Sequence, residues 1–200
     1  MVVATKNKKK LKEIKEILKD LNLKITSLAD YKNVPPILEN GKTFKENAIK
    51  KAIKISNFTK KLTLGEDSGL CVEALSGKPG IYSSRFCGAD KNDKKNNLKL
   101  LRLLKSLPLS KRKAYYSSAV ALAGRKGLVG VVEGKCLGAI GFELKGKSGF
   151  GYDPLFIIPK YKKTFAELGP KIKHKMSHRF HALSKARKII LKYFRVKKNV

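Results

Sequence analysis

The sequence predicts an α/β fold with a mixed, twisted central sheet flanked by helices. Two patterns carry that expectation. In the first third of the chain, short apolar runs alternate with segments whose apolar residues recur at helical spacing. From residue 114 onward, strand-like runs succeed one another through glycine turns, as in a meander.

In chain order, Val2-Val3-Ala4 is a short strand. Leu11, Ile14, Ile17, Leu18 and Leu21 follow at helical spacing, and Leu23 to Ile25 forms a second short strand. Pro35, Pro36 and Gly41 mark 31–41 as a loop. Thr43 opens a helix with Glu46 three residues later, in capping-box spacing, and Phe44, Ala48, Ala52 and Ile55 form its apolar face. Leu62 to Gly65 is a buried strand that ends in a turn at Glu66-Asp67-Ser68-Gly69. Leu98 to Leu104 is a helix. Ala114 to Ala123 and Leu128 to Val132 pair as a hairpin through 124–127, and Leu137 to Leu144 continues that sheet. Leu155 to Ile158 is a brief strand, and Phe180 to Phe194 is the final helix. No internal repeat is visible. A length of 200 residues fits one domain over 1–200, without a separate linker.

Composition narrows the class. No apolar run reaches membrane-spanning length, and the opening residues do not read as a signal peptide, so a cytoplasmic protein is expected. Cys71, Cys87 and Cys136 are odd in number and widely spaced, which argues for small reduced packing residues. The net charge of +31 points to polyanionic partners, nucleic acid or nucleotide, although a lysine-rich proteome produces the same excess. Against 46 basic residues stand only 15 acids, so two acids side by side at Glu66-Asp67 have a claim to a specific role.

Three stretches carry chemistry. Thr5, Lys6, Asn7, Lys8, Lys9 and Lys10 lie between a strand and a helix, where free N–H groups and the positive dipole end suit a phosphate chain. The plainer reading makes Thr5 or Asn7 an N-cap and the lysines a solvated face. Glu66 and Asp67 offer hard oxygens to Mg²⁺, and one of them can activate water. Successive strand residues face opposite ways, so a bend would be needed to aim both at one ion. The plainer reading is an exposed turn. Phe150, Gly151 and Tyr152 make a stacking platform for a flat base, with Asp153 and Arg179 to read its edges. The plainer reading there is core packing. His178 with His174 or His181 lacks the further ligands of a zinc site.

Taken together, the motifs resemble those of the inosine triphosphate pyrophosphatase family, the non-canonical purine NTP pyrophosphatases. They run nearly end to end and in the family's order. First come Ala4-Thr5-Lys6-Asn7 with Lys10; Glu39-Asn40-Gly41 leading into Thr43 to Ala48 and Lys51; Glu66 to Leu70; and Pro79 to Arg85. Gly149 to Pro154, Lys163 to Leu168, Lys173 and Ser177-His178-Arg179 follow. The resemblance implies a central sheet with two lobes, an active-site groove between them, and a homodimer. It implies hydrolysis of XTP, ITP and dITP to the monophosphate and pyrophosphate with Mg²⁺. By position, Thr5, Asn7, Lys10 and Lys51 would hold phosphates, with Lys6, Lys8 and Lys9 beside them. Glu39, Glu66 and Asp67 would bind Mg²⁺, with Asp67 as general base and Glu46 as the alternative to Glu39. Ser68 would touch the substrate. Phe150 would stack on the base beside Gly151 and Tyr152; Asp153, His178 and Arg179 would read it; Arg85 and Lys173 would lie at the site. Lys6 stands where the family usually has Gly, and Glu66 where many members have Asp.

Two rivals remain open at this stage. A nucleic-acid-binding protein would owe its function to the charge and show no turnover, but it leaves the Glu66-Asp67 pair unexplained. A pyrophosphatase for modified pyrimidine nucleotides would share the metal and phosphate residues and differ in base preference.

Overall fold

A computed structural model describes residues 1–198, with side chains through Arg195. The strands are β1 (Val2–Val3), β2 (Thr26–Ser27), β3 (Thr63–Val72), β4 (Lys113–Gly124), β5 (Gly127–Ile140), β6 (Phe156–Ile158) and β7 (Lys163–Thr164). The helices are α1 (Lys8–Ile17), α2 (Phe44–Thr59), α3 (Asp93–Leu103), α4 (Phe165–Met176) and α5 (His178–Lys198). The seven strands form one sheet in the order β2-β1-β3-β4-β5-β6-β7. β1 runs parallel to β2 and to β3, whereas β6 is antiparallel to β5 and to β7, so the sheet is mixed as expected. Among the described residues no helix is long and apolar enough to cross a membrane.

The chain divides into two compact units. Unit 1 comprises Met1–Asp67, Ser118–Gly134 and the chain from Arg179 onward. Its main core joins Val3, Ile14, Leu18, Leu64, Leu183 and Ile190 to Val120 and Leu122 of β4. The alternate residues of that strand, Ala119, Ala121 and Ala123, pack instead with Ala48 and Ala52 of α2. Successive strand residues face opposite sides, so β4 serves two cores by parity. The small side chains let α2 lie close to the sheet. Gly65 carries that approach furthest: a Cβ there would stand 2.2 Å from the Ala48 carbonyl oxygen and 2.7 Å from the Ala52 nitrogen.

Unit 2 comprises Ser68–Ser117 and Lys135–His178. Leu70, Val72, Leu100, Leu104, Tyr116, Phe156 and Phe165 dominate its core. Arg112 is buried in this unit. Its guanidinium donates to the carbonyls of Leu104, at the end of α3, and of Gly141, at 3.2 and 2.6 Å. A cation at helix-terminal carbonyls is favourably placed.

Several expectations need correction. β3 does not turn at Glu66-Asp67-Ser68-Gly69 but runs straight through to Val72. The glycine that suggested a turn serves the close approach of α2. The second strand lies at Thr26–Ser27, beyond Leu23 to Ile25, because register with β1 pairs Val2 with Thr26. β5 stops at Ile140; Phe142 and Leu144 are exposed and offer no buried face. Helix α4 was unforeseen because Gly169 and Pro170 interrupt it, with Gly169 at φ 74°. Cys71 and Cys136 are buried and free, but Cys87 is exposed, so only two of the three are packing residues.

Gly65→Ala should test the packing of α2 on β3. Overpacking of this kind typically costs about 1–3 kcal/mol, and the neighbours here are backbone atoms that cannot rotate away. Urea denaturation should show a lower midpoint with an unchanged slope. An unaltered midpoint would mean that α2 is free to slide outward.

Candidate active site

The alternation of β3 sets the geometry. Glu66 and Asp67 are adjacent, and both are buried. Their side chains leave opposite faces of the strand and meet different elements of unit 1.

Asp67 faces α2. Its Oδ1 accepts from Lys51 Nζ at 3.0 Å and its Oδ2 from Asn47 Nδ2 at 3.2 Å. Asn47 and Lys51 stand four residues apart and therefore share one side of the helix. Lys51 Nζ also contacts Glu39 Oε2 at 2.8 Å and donates to the Glu66 carbonyl at 3.2 Å. Asn47 Oδ1 accepts from Gly41 N at 2.8 Å, which ties the loop carrying Glu39 to the same spot. Burial pushes the Asp67 carboxyl above its ordinary range, with Lys51 and Lys10 pulling the other way. Burial disfavours the Lys51 charge, but Asp67 and Glu39 outweigh it and raise its pKa, so Lys51 stays cationic.

Glu66 faces α1, β4 and α5. Its Oε2 contacts Lys10 Nζ at 2.9 Å; its Oε1 accepts from Ser118 Oγ and from Arg179, each at 3.0 Å. The Arg179 guanidinium also grips Glu13 of α1. Arg179 is 1% exposed. Burial opposes its charge, yet Glu66 and Glu13 together raise its pKa further.

At the start of α1, Asn7 is the N-cap. Its Oδ1 accepts from Lys9 N at 2.9 Å and Lys10 N at 3.0 Å, while Thr5 Oγ1 accepts from Asn7 N at 3.1 Å. Lys6, Lys8 and Lys9 are exposed, and the first turn contains no acid. Lysines at the positive end of a helix dipole are unfavourable by themselves and become favourable beside an anion.

In unit 2 the segment after Gly149 is held by side chains rather than by a ladder. Asp153 Oδ2 accepts from Phe150 N at 2.8 Å and pairs with Lys173 Nζ at 2.6 Å. The same ammonium lies over the Phe150 ring, 4.5 Å from its centroid. Gly149 has φ +84°, and a Cβ there would fall 2.1 Å from Asp153 Oδ2. Tyr152 is buried and its hydroxyl donates to the Ser83 carbonyl at 2.9 Å. His178 stacks on Tyr116 with ring centroids 4.6 Å apart. Arg85 lies over the exposed Tyr82 ring at 5.1 Å, and Ser68 is half-buried in β3.

Against the expectations, the structure gathers Glu39, Lys51 and Asp67 at one point, Lys10 and Glu66 at another, and Phe150, Asp153 and Lys173 at a third. Glu46 does not join Glu39: its carboxylate accepts from Lys42 N at 2.9 Å and Thr43 Oγ1 at 3.1 Å, a capping role. Both terminal nitrogens of Arg179 are given to Glu13 and Glu66. Buried carboxylates demand a cation strongly, so the two acids hold the guanidinium in place. Tyr152 takes the core-packing role. The sequence reading missed Glu13, Asn47 and Ser118. Asn47 had a signal, its i,i+4 spacing to Lys51; Glu13 had a weaker one, an acid beside the buried Ile14.

The sequence model of the Ham1 family matches residues 1–189. A dITP/XTP pyrophosphatase of Desulforamulus reducens is 47% identical over 190 residues, covering 95% of this chain and 94% of its own. One of Halalkalibacterium halodurans is 46% identical, covering 91% and 94%. The solved structure of a HAM1 protein from Coxiella burnetii superposes with a TM-score of 0.86 at 37% identity, covering 96% of this chain and 98% of its own.

Removing Arg179 should expose its role. Arg179→Met leaves Glu13 and Glu66 as buried charges that share a lost partner, a change that typically costs about 3–5 kcal/mol. Adding Glu13→Gln to that variant should restore part of the loss, measured as urea midpoints. Strict additivity of the two substitutions would contradict the coupling.

Proposed function

Because the chain belongs to the Ham1 family, we propose that it is a nucleoside triphosphate pyrophosphatase that hydrolyses XTP, ITP and dITP to the monophosphate and pyrophosphate. It does so with Mg²⁺, as a cytoplasmic homodimer, and so clears non-canonical purines from the nucleotide pool. The observation that carries this reading is the meeting of Glu39 and Asp67 at Lys51 in a chain that matches dITP/XTP pyrophosphatases almost end to end.

The donor set fits a magnesium ion. Mg²⁺ keeps several waters and takes one or two carboxylates together with substrate phosphates. Glu39 Oε2 and Asp67 Oδ1 each lie within 3.0 Å of the same Lys51 nitrogen, so two hard oxygens already converge on one cation. Glu39 and Asp67 would hold the ion. Glu66, also expected as a ligand, has its carboxylate engaged by Lys10, Ser118 and Arg179 on the other face of β3. When bound, the ion screens the charge of the triphosphate tail.

The chain's own groups supply the rest. Asp67, its carboxyl raised by burial, accepts the proton of the attacking water. Lys51 stays protonated, orients Asp67 and neutralises phosphate charge. Thr5, Asn7 and Lys10, with Lys6, Lys8 and Lys9 around them, hold the phosphate chain at the start of α1. Phe150 stacks on the base, and Asp153 fixes both the Phe150 backbone and Lys173. Lys173 lies over that ring. His178 and Arg179 read the base edge with Asp153: a donor such as Arg179 suits the 6-keto oxygen of hypoxanthine or xanthine and would be left unpaired by the 6-amino group of adenine.

Release of pyrophosphate and monophosphate from ITP, dITP, XTP, GTP and ATP tests the reading. A hydrogen bond to a charged donor is worth about 1.5–3 kcal/mol, so kcat/KM for the first three should exceed that for ATP by roughly one to two decades or more. EDTA should abolish turnover, and added Mg²⁺ should restore it. Equal rates on every base, orthophosphate as product, or salt-sensitive nucleic acid binding without turnover would overturn it.

A further inference from the structure

The base-stacking segment carries a hold that neither its motif nor the proposed mechanism uses. Gly151 lies between Phe150 and Tyr152, and both of its backbone polar groups are taken by one helix. Its N–H donates to Asp93 Oδ2 at 2.8 Å. Its carbonyl accepts from Asn97 Nδ2 at 2.8 Å. Asp93 and Asn97 stand four residues apart on α3, so one helix face presents an acceptor and a donor to a single residue.

That helix is firmly seated. Leu100 and Leu104 at its far end are 0% exposed in the unit 2 core, which also contains Tyr152 and Leu155. Asn97 is 3% exposed, and its amide also donates to the Asp93 carbonyl at 2.8 Å, which fixes its orientation. The preceding residue, Asn96, holds a neighbouring turn by accepting from Cys87 N at 2.7 Å and donating to the Ser84 carbonyl at 3.1 Å.

We propose that Asp93 and Asn97 are positioning residues for recognition of the base: by holding both backbone polar groups of Gly151 from one face of α3 they set the plane of the Phe150 ring against Lys173 and Asp153. The proposal rests on the functional reading above. The physical case is one of order. Peptide groups in an irregular segment need partners, and here three of the four polar groups of Phe150 and Gly151, namely Phe150 N, Gly151 N and the Gly151 carbonyl, find them on side chains. Asp153 holds the segment at Phe150 N, and α3 holds it at Gly151. With the α3 side released, the segment loses two of its side-chain holds, and the ring no longer sets a bound base at the angle and distance that a donor to its 6-keto oxygen requires, a loss that falls on bases bearing that group.

Asp93→Ala and Asn97→Leu each remove one half of the clamp; Asp93→Asn keeps an acceptor oxygen and serves as the conservative control. The readout is kcat and KM for ITP and for ATP, alongside the thermal midpoint. Both disrupting variants should raise KM for ITP by about tenfold, the worth of one lost hydrogen bond, with kcat nearly kept. ATP, which lacks the 6-keto contact, should change by less than about threefold, so the ITP-to-ATP ratio falls. Asp93→Asn should keep the wild-type ratio. Asp93 is exposed, so Asp93→Ala carries the test should Asn97→Leu fail to fold. A parallel fall for ITP and ATP, or no change in either, overturns the proposal and leaves Asp93 and Asn97 as structural groups. A wild-type protein with no preference for ITP over ATP overturns the base reading itself, and this inference with it. A wild-type preference that survives both substitutions overturns this inference alone.

Discussion

A buried carboxylate is tolerated only beside a cation, and that constraint organises the whole molecule. Among the described residues the buried acids are Glu13, Glu66, Asp67 and Asp153. Each meets a buried cation of its own unit: Arg179 holds Glu13 and Glu66, Lys51 holds Asp67, and Lys173 holds Asp153. Removing one partner of such a pair is far costlier than the pair is stabilising. The arrangement therefore fixes α1, α2 and α5 relative to β3 within unit 1. Lys10 and Lys51 neutralise acids of the fold, and they lie where a triphosphate is proposed to bind.

The adjacency of Glu66 and Asp67 gains its meaning from the strand. A turn would have aimed both at one ion. The extended strand instead sends Glu66 toward Lys10 and Arg179 and Asp67 toward Lys51 and Asn47. One carboxylate then anchors the frame, and the other, pushed up by burial, meets Glu39 at Lys51, where the proposed chemistry would take place. Gly65 makes this workable, because any side chain there would hold α2, and with it Lys51, off the strand.

Much of this was legible in the sequence where the signal is local. Helical spacing revealed α1, Thr43 revealed the start of α2, and the glycines at 124 and 127 revealed the hairpin. Asn7 proved to be the cap that its position suggested. What was not legible depends on contacts remote in sequence. Arg179 meets Glu66 113 residues away and Asp93 meets Gly151 58 residues away, and no spacing rule announces either. The course of β3 was misread because a glycine needed for close packing looks the same as one needed for a turn. Helix α4 was hidden by Gly169-Pro170, whose composition says loop although the chain resumes its helix. The net charge of +31 separated nothing, since the excess lysines are largely exposed while the informative ones are buried beside acids.

The central claim is that Asp67 acts on water while Lys51, Asn47 and the Glu66 network hold the frame. Asp67→Asn tests it most directly, because an amide keeps the shape and can still accept from Lys51 but cannot take a proton. Turnover of ITP at saturating Mg²⁺ should fall by about 10²–10⁴-fold. Nucleotide binding by calorimetry should largely survive, while the thermal midpoint falls because Lys51 keeps only Glu39 as its carboxylate partner. Near-wild-type turnover by this variant would contradict the claim and move the base to another residue.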